Sequence, residues 1–523
     1  MKIPKALPFV GLLFGWLTLN ADWRDDSGYT ALAAQQGAAL PTGAGFVVLH
    51  CEPMESVPEE GGQGPYLPQM WGSSSPIPGT GQFDGCFFHA KSGLTGASGH
   101  AASVAETFYG QGSVSQGVTH VECYEADDFL GRLLNQTPLP SFQGGAQNHS
   151  YVGTTGNSSQ DEQLLRRYDQ MVVDQGTILC VPLNNGAGTT VPPLPSSTYN
   201  SICVGLRNGD HSRGGTLVDG SGRMKPDLVV NQGLTSYATP AVASCSVILR
   251  QRLQALAPAY DYPMVIKALL LAGASKENLP QWQRLAAAAP YDAVYGAGEL
   301  HIGNSYRLLE FGRQGYQTGT DEVQPTGWDK ATAQTSIPRW YYFTVPAGNM
   351  ADTFSAALTW QRTLTLNGSD EYDSALAVLH LALYASNNGV VSGAPISQST
   401  STIDNVQHLF LRNLPPGQYA LRVTAEASAP ATDYAIAWQS AIGQGPQSAP
   451  AAAADGTSVS LALSKLDPFV TYTVMRSGNL IDWDEVGTFR TADTAASLVH
   501  TWMDNSPLPD SGFYRLKWNG VRQ

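Results

Sequence analysis

Short apolar runs and helical periodicities alternate along the chain up to about Gly312. Phe46–Leu49, Val118–Tyr124, Thr177–Val181 and Ser201–Gly205 are brief, β-rich and flanked by turn formers, which predicts buried strands. Ala101, Val104, Ala105 and Phe108 recur at helical spacing. Gln163–Asp174 is helical in pattern, and Ala238–Ala255 is a long apolar helix. A short helix is predicted within residues 22–42. Strands alternating with helices predict an α/β domain, a parallel sheet covered on both faces. The texture then changes. Residues 338–440 hold short β-rich runs broken by Gly, Pro and Asn, which predicts an antiparallel β-sandwich. Residues 442–455, rich in Pro, Ala, Gly and Ser, read as a linker. The expected organisation is an N-terminal segment 1–21, an α/β domain 22–315, a sandwich 316–441, the linker, and a small β module 456–523.

Residues 1–21 begin with Lys2 and Lys5, continue through the apolar run Leu7–Leu19 and end in Ala21. This is the pattern of a secretory signal peptide, so the chain is expected to be secreted, extracellular or periplasmic. No later run reaches about 18 apolar residues, and no membrane association is expected after signal removal. Hydrophobic residues are 42% and charged residues 14%, which excludes a disordered polyelectrolyte. The 54 glycines and 33 prolines predict many loops. A net charge of −14 argues against nucleic acid as a partner. Export permits disulfides among the six cysteines, all between Cys51 and Cys245. Cys51, Cys180 and Cys203, however, sit in apolar β-type runs and read as buried free thiols. No CxxC spacing suggests zinc.

In a parallel α/β sheet the functional groups gather past the carboxyl ends of strands. Glu52 follows the first strand, and Ser98-Gly99-His100 opens a helix after a glycine-rich loop. Asn184-Asn185-Gly186 follows another strand, and Gly233-Leu234-Thr235-Ser236 opens the long helix after Leu228–Val230. An acid, an imidazole, an amide and a hydroxyl suit acyl transfer. Serine needs a base to become a nucleophile, and histidine is that base near neutral pH. A carboxylate fixes the imidazole tautomer, and an amide N–H stabilises the oxyanion. Glu55 and Asp84 compete with Glu52 for the acid role, and Asn185 competes with Asn184.

The motifs carrying these residues, spread over about 40–312, resemble those of the subtilase (subtilisin-like) serine peptidases. GAGFVVLHCE (43–52) resembles the first strand with the triad acid, and SGHAASVA (98–105) the histidine helix. NHSYVG (148–153) resembles the strand that pairs with substrate, and LNNG (183–186) the oxyanion loop. KPDLVV (225–230) with LTSYATP (234–240) resembles the strand and helix of the nucleophile, and YGAGEL (295–300) the closing segment. The resemblance implies a catalytic set of Glu52, His100, Ser236 and Asn184, with Ser150, Tyr151 and Gly153 lining the cleft for a protein or peptide substrate. It implies no organic cofactor and a monomeric secreted endopeptidase. The chain departs from the family in having Glu for Asp at position 52, Ala101 after the histidine and Leu234 before Thr-Ser. The span between residue 21 and Glu52 leaves no room for the usual inhibitory propeptide.

The acidic groups Asp127-Asp128 and Asp370, Glu371 and Asp373 read as solvated loops, with calcium as the one cation they would suit. His50 and His149 read as structural. Residues 414–423, LPPGQYALRV, resemble a strand of the bacterial pre-peptidase C-terminal β-sandwich. No catalytic grouping is found in either β module. Glu52 and the missing glycines motivate the alternative of an inactive binding protein on the same fold, held to a surface or polymer by its β modules.

Overall fold

The computed structural model describes residues 22–56, 64–69, 74–279, 281–347, 350–367, 372–427, 429–443, 447–452, 457–464, 466, 471–491, 499–509 and 512–518. The expected signal peptide lies outside them, as do Asp370 and Glu371. The first domain is built on eight strands: β1 Val47–Glu52, β2 Ile77–Pro78, β3 Phe87–Ala90, β4 His120–Glu125, β5 Ala146–His149, β6 Ile178–Pro182, β7 Ile202–Leu206 and β8 Leu228–Val230. Their order is β2-β3-β4-β1-β5-β6-β7-β8. Every neighbouring pair is parallel except β2–β3. Eight helices accompany them: α1 Trp23–Asp26, α2 Tyr29–Gln36, α3 Gly99–Phe108, α4 Ala126–Asn135, α5 Ser158–Gln175, α6 Thr235–Leu256, α7 Pro263–Gly273 and α8 Ile302–Glu310.

Alternate residues of each strand feed opposite faces, as a period of two requires. Val48, Ile178 and Cys180 pack in one core with α6, α7 and α8, while Leu49, Leu179 and Val181 pack in another with α4 and α5. Both faces are covered, so β1, β5, β6, β7 and β8 are buried along nearly their whole length rather than at alternate residues. All six cysteines are buried and free. Asp127 and Asp128 stand in the first turn of α4 rather than in a loop, where their charge suits the helix dipole. Among the described residues no group of three or more His, Cys, Asp or Glu side chains could hold a metal ion. No described helix is long and apolar enough to cross a membrane.

The sandwich comprises β9 Gly327–Ala333, β10 Arg339–Val345, β11 Met350–Trp360, β12 Thr363–Leu366, β13 Tyr372–Ala375, β14 Leu379–Asn387, β15 Val390–Val391, β16 Ser397–Ser399, β17 Val406–Leu414, β18 Gly417–Ala425 and β19 Thr432–Gly443. One sheet runs β10-β18-β14-β15 with β16 on β14, and the other runs β17-β11-β19-β9. The last module adds β20 Gln447–Ala452, β21 Val459–Ser464, β22 Thr471–Ser477, β23 Asp484–Arg490, β24 His500–Asp504 and β25 Phe513–Trp518, in two three-stranded sheets. Of the expected linker 442–455, the described residues 442–443 and 447–452 lie in strands. β19 continues to Gly443, and β20 pairs antiparallel with β21.

The sandwich is not a loose appendage. Trp328, Ala357, Val406, Ala435 and Ala437 join the core of the α/β domain, and the small alanines admit α7 against β11 and β19. A buried ion cluster locks the seam. Arg362, just past β11, is 1% exposed and reaches Asp169 of α5 at 2.6 Å and Asp219 at 2.5 Å. Asp219 also pairs with Arg166 at 3.0 Å, whereas Asp169 has Arg362 as its cation, and an unpaired buried charge costs several kcal/mol. Replacing Arg362 by Met is expected to lower stability by about 3–5 kcal/mol, read by denaturant unfolding of the full chain. A change below about 1 kcal/mol would show that the seam tolerates both carboxylates without the cation.

Candidate active site

Glu52 is the last residue of β1 and is 1% exposed. Residues two apart on a strand share a face, so His50 stands beside it. One carboxylate oxygen, Oε2, lies 2.6 Å from His100 Nδ1. The other, Oε1, lies 2.9 Å from His50 Nε2, and His50 Nδ1 lies 2.7 Å from the Tyr109 hydroxyl. A carboxylate only accepts, so both imidazoles donate to it. Of the three competing acids, Glu52 alone meets His100. Glu55 instead accepts the Gly99 N–H at 2.7 Å, and Asp84 is exposed in a turn.

His100 is held by its helix. Ser98 caps α3 by accepting the Ala101 N–H at 3.2 Å, and Glu55 satisfies a second orphan donor of the same turn. The imidazole is one-third exposed, and its ring stands 6.1 Å from that of Tyr237, next to Ser236. Hydrogen bonding to Glu52 raises its pKa above the ordinary imidazole value. Partial burial opposes that shift, and the charges of Glu52 and Glu55 add to it.

Ser236 is the second residue of α6. Pro240 stands four residues later and has no N–H for the Ser236 carbonyl. The Ser150 hydroxyl supplies the missing donor at 3.0 Å and itself accepts from Asn148 Nδ2 at 2.9 Å. Ser150 thus fixes the backbone of Ser236. No hydrogen bond joins Ser236 Oγ to His100.

The amide at the start of α6 is that of Asn185, not Asn184. The backbone of Asn184 is tied to Ser212, whose hydroxyl accepts its N–H at 3.2 Å and whose N–H reaches its carbonyl at 2.9 Å. That pairing turns the next side chain toward the helix. Asn185 Oδ1 accepts the Thr235 N–H at 2.9 Å and the Thr235 hydroxyl at 3.1 Å. With Oδ1 engaged, the Nδ2 hydrogens are the end left to donate.

Tyr151 and Gly153 line a cavity of about 360 Å³ beside the end of β1, with Pro53, Met54, Leu130 and Leu134 as its apolar wall. Gly153 is not a free edge, because Leu194 takes both its N–H and its carbonyl. The Tyr151 hydroxyl bonds to that of Tyr168 beneath the cavity floor. His149 lies under the same strand, where burial pushes its pKa down to about 3, so it is neutral. It contacts Gln147 and packs against Tyr151 and Tyr168. Sequence reasoning read His50 as structural, did not single out Tyr109 and left Asn185 as the rival of Asn184; the structure joins Tyr109 to His50 and His50 to Glu52. The spacing of two between His50 and Glu52 was the available signal for the latter contact.

The raised pKa of His100 has a testable source. Glu52→Gln keeps the shape but removes the anion, so the His100 midpoint should fall toward the ordinary imidazole value. Titration by NMR of ¹⁵N-histidine protein reads this directly. The linkage sign is that of a raised histidine. The bond stabilises the fold fully below the unfolded-state value and is lost as pH rises through the native one.

No protein-family model matches the chain, and no curated protein matches it. Among solved structures, the chain is similar to a protease from Pseudoalteromonas arctica, at 17% identity with a TM-score of 0.31 over 55% of this chain and 93% of that one. It is similar to fervidolysin from Fervidobacterium pennivorans, a keratinolytic enzyme related to subtilisin. That likeness has 12% identity and a TM-score of 0.32, over 89% of this chain and 67% of the other. It is also similar to a lanthipeptide protease, at 12% identity with a TM-score of 0.34 over 55% of this chain and 94% of that one.

Proposed function

We propose that the chain is a serine endopeptidase in which Ser236 is the nucleophile, His100 the general base and Glu52 the acid that orients it. The observation that carries this reading is the 2.6 Å bond from His100 Nδ1 to Glu52, made by a histidine whose ring stands beside the residue after Ser236. Holding Nδ1–H leaves Nε2 free to take the Ser236 proton. That transfer needs the serine hydroxyl and Nε2 to come within about 3 Å when substrate enters. The hydroxyl then attacks the scissile carbonyl and forms a tetrahedral intermediate.

The negative oxygen of that intermediate faces two donors, the Asn185 side-chain N–H and the Ser236 backbone N–H in the first turn of α6. A helix start leaves such N–H groups unpaired and adds a favourable dipole. Asn184 is the residue implied by the motif alignment; the role goes here to Asn185, whose side chain is the one bonded to the start of α6. His100 passes its proton to the leaving amine, and water hydrolyses the acyl-enzyme by the same route in reverse. The cavity lined by Tyr151, Leu130 and Leu134, with Glu125 and Asp127 also in its wall, suits a mainly apolar side chain of the substrate. The chain works on protein or peptide outside the cytoplasm, and the sandwich is a fixed part of the folded enzyme.

A fluorophosphonate probe tests the nucleophile. The folded chain should label, and Ser236→Ala should not. Absence of labelling on folded wild type would leave the inactive binding protein as the reading. Removing an oxyanion donor costs roughly 10²–10³ in turnover where it has been measured. Asn185→Ala should therefore lose about that much peptidase activity, while Asn184→Ala keeps most of it. The reverse ranking would return the role to Asn184.

A further inference from the structure

We propose that His50 is a positioning residue for the proposed base, pinning the second oxygen of Glu52 through Nε2–H while the Tyr109 hydroxyl sets its tautomer. The inference rests on the triad reading, but its central test does not need turnover. The chain of contacts is continuous: Tyr109 OH to His50 Nδ1 at 2.7 Å, His50 Nε2 to Glu52 Oε1 at 2.9 Å, and Glu52 Oε2 to His100 Nδ1 at 2.6 Å. His50 and Glu52 are each 1% exposed, so water is not available to replace a lost partner.

The direction of each bond follows from what each group can do. Glu52 only accepts, so His50 Nε2 carries a hydrogen. Burial pushes the Tyr109 phenol well above its ordinary range, so it keeps its proton and donates to Nδ1. One tautomer of neutral His50 satisfies both ends. A glutamate has one more rotatable bond than an aspartate, and a second fixed donor removes that freedom. A carboxylate fixed by only one bond is free to pivot about it, and the imidazole would pivot with it.

The groups facing this chain are few. Cys51, Cys123 and Tyr109 lie close enough to feel the charge of Glu52. His149 lies near His50, Glu55 faces His100, and Tyr237 stacks on it. Burial holds both thiols far up and His149 far down, so these three stay neutral through the working range. Glu55 is a further charge, and Glu125 stands beside Glu52 in register on β4, where burial raises its pKa; the test leaves both untouched.

The experiment substitutes His50 in two backgrounds. In ¹⁵N-histidine-labelled Ser236→Ala protein, His50→Leu removes a donor from the Glu52 anion. The anion then holds the His100 proton more tightly, and the His100 midpoint moves up. His50→Gln offers an amide N–H near the position of Nε2 and should restore the midpoint. In the active chain, His50→Leu should slow fluorophosphonate labelling by about tenfold or more, as loss of a charge-assisted bond predicts, with the acid limb moved to higher pH. Gln should recover most of the rate. If Leu prevents folding, Tyr109→Phe carries the test: it removes the donor to Nδ1 and should shift His100 the same way by less. A His100 midpoint unmoved in both folded variants overturns the proposal. A midpoint that moves in a chain that never labels upholds the coupling and overturns the peptidase reading instead.

Discussion

One buried carboxylate sets the terms for the candidate site of this molecule. Glu52 sits at the end of a central strand, closed off from water, and its two oxygens serve two imidazoles. A charge in that position is costly unless every lone-pair direction meets a donor. The surrounding elements are arranged to meet this demand. β1 supplies His50 at the same-face spacing, and α3 supplies His100 from its first turn and Tyr109 from its far end. Ser98 and Glu55 hold the start of α3, so the position of His100 is fixed by backbone bonds as well as by its ring. Removing any one of these would leave a buried group without its partner, which is why they form a set.

The nucleophile side follows a separate constraint. A proline in the second turn of α6 removes the donor that the Ser236 carbonyl would use in a regular helix. The chain meets that carbonyl with a side chain from the neighbouring strand end, Ser150, backed by Asn148. The consequence reaches function. The residue that would attack substrate is tied through its own backbone to the strand that walls the cleft. The Thr235 donors anchor Asn185 in the same way. The proposed nucleophile, the proposed oxyanion donor and Ser150 therefore share one hydrogen-bonded unit.

Much of this was legible in the sequence. Strand-end position singled out Glu52, His100 and Ser236, because a parallel sheet brings such ends together whatever the intervening loops do. The sheet itself was readable from short apolar runs, although the boundaries of the strands and helices moved by a few residues. What stayed hidden depended on direction rather than order. Asn184 and Asn185 are neighbours of one type, and only the pairing of Asn184 with Ser212 decides which side chain turns toward α6. The seam was hidden for another reason. Arg362 lies far from Asp169 and Asp219 in sequence, and no local pattern announces a contact of that range. Residues 442–455 misled through composition, since alanine and proline there pair as an edge strand.

The seam changes what the β-sandwich is for. A module attached by a flexible tether would keep its own surface and leave the first domain complete. Here the outer face of one sandwich sheet supplies core residues to the α/β domain, and Ala357 and Ala437 are small because α7 lies against them. Thr359 adds a bond to the Met264 carbonyl of α7, and Asn405 bonds the Tyr199 carbonyl. Polar groups that bridge a dry interface are expensive to separate, since each half would expose or orphan its partner. The two units are best regarded as one folding entity, in which the sandwich covers α7 as a further helix layer would. The proposed chemistry resides wholly in the first unit, yet the stability of that unit passes through the second.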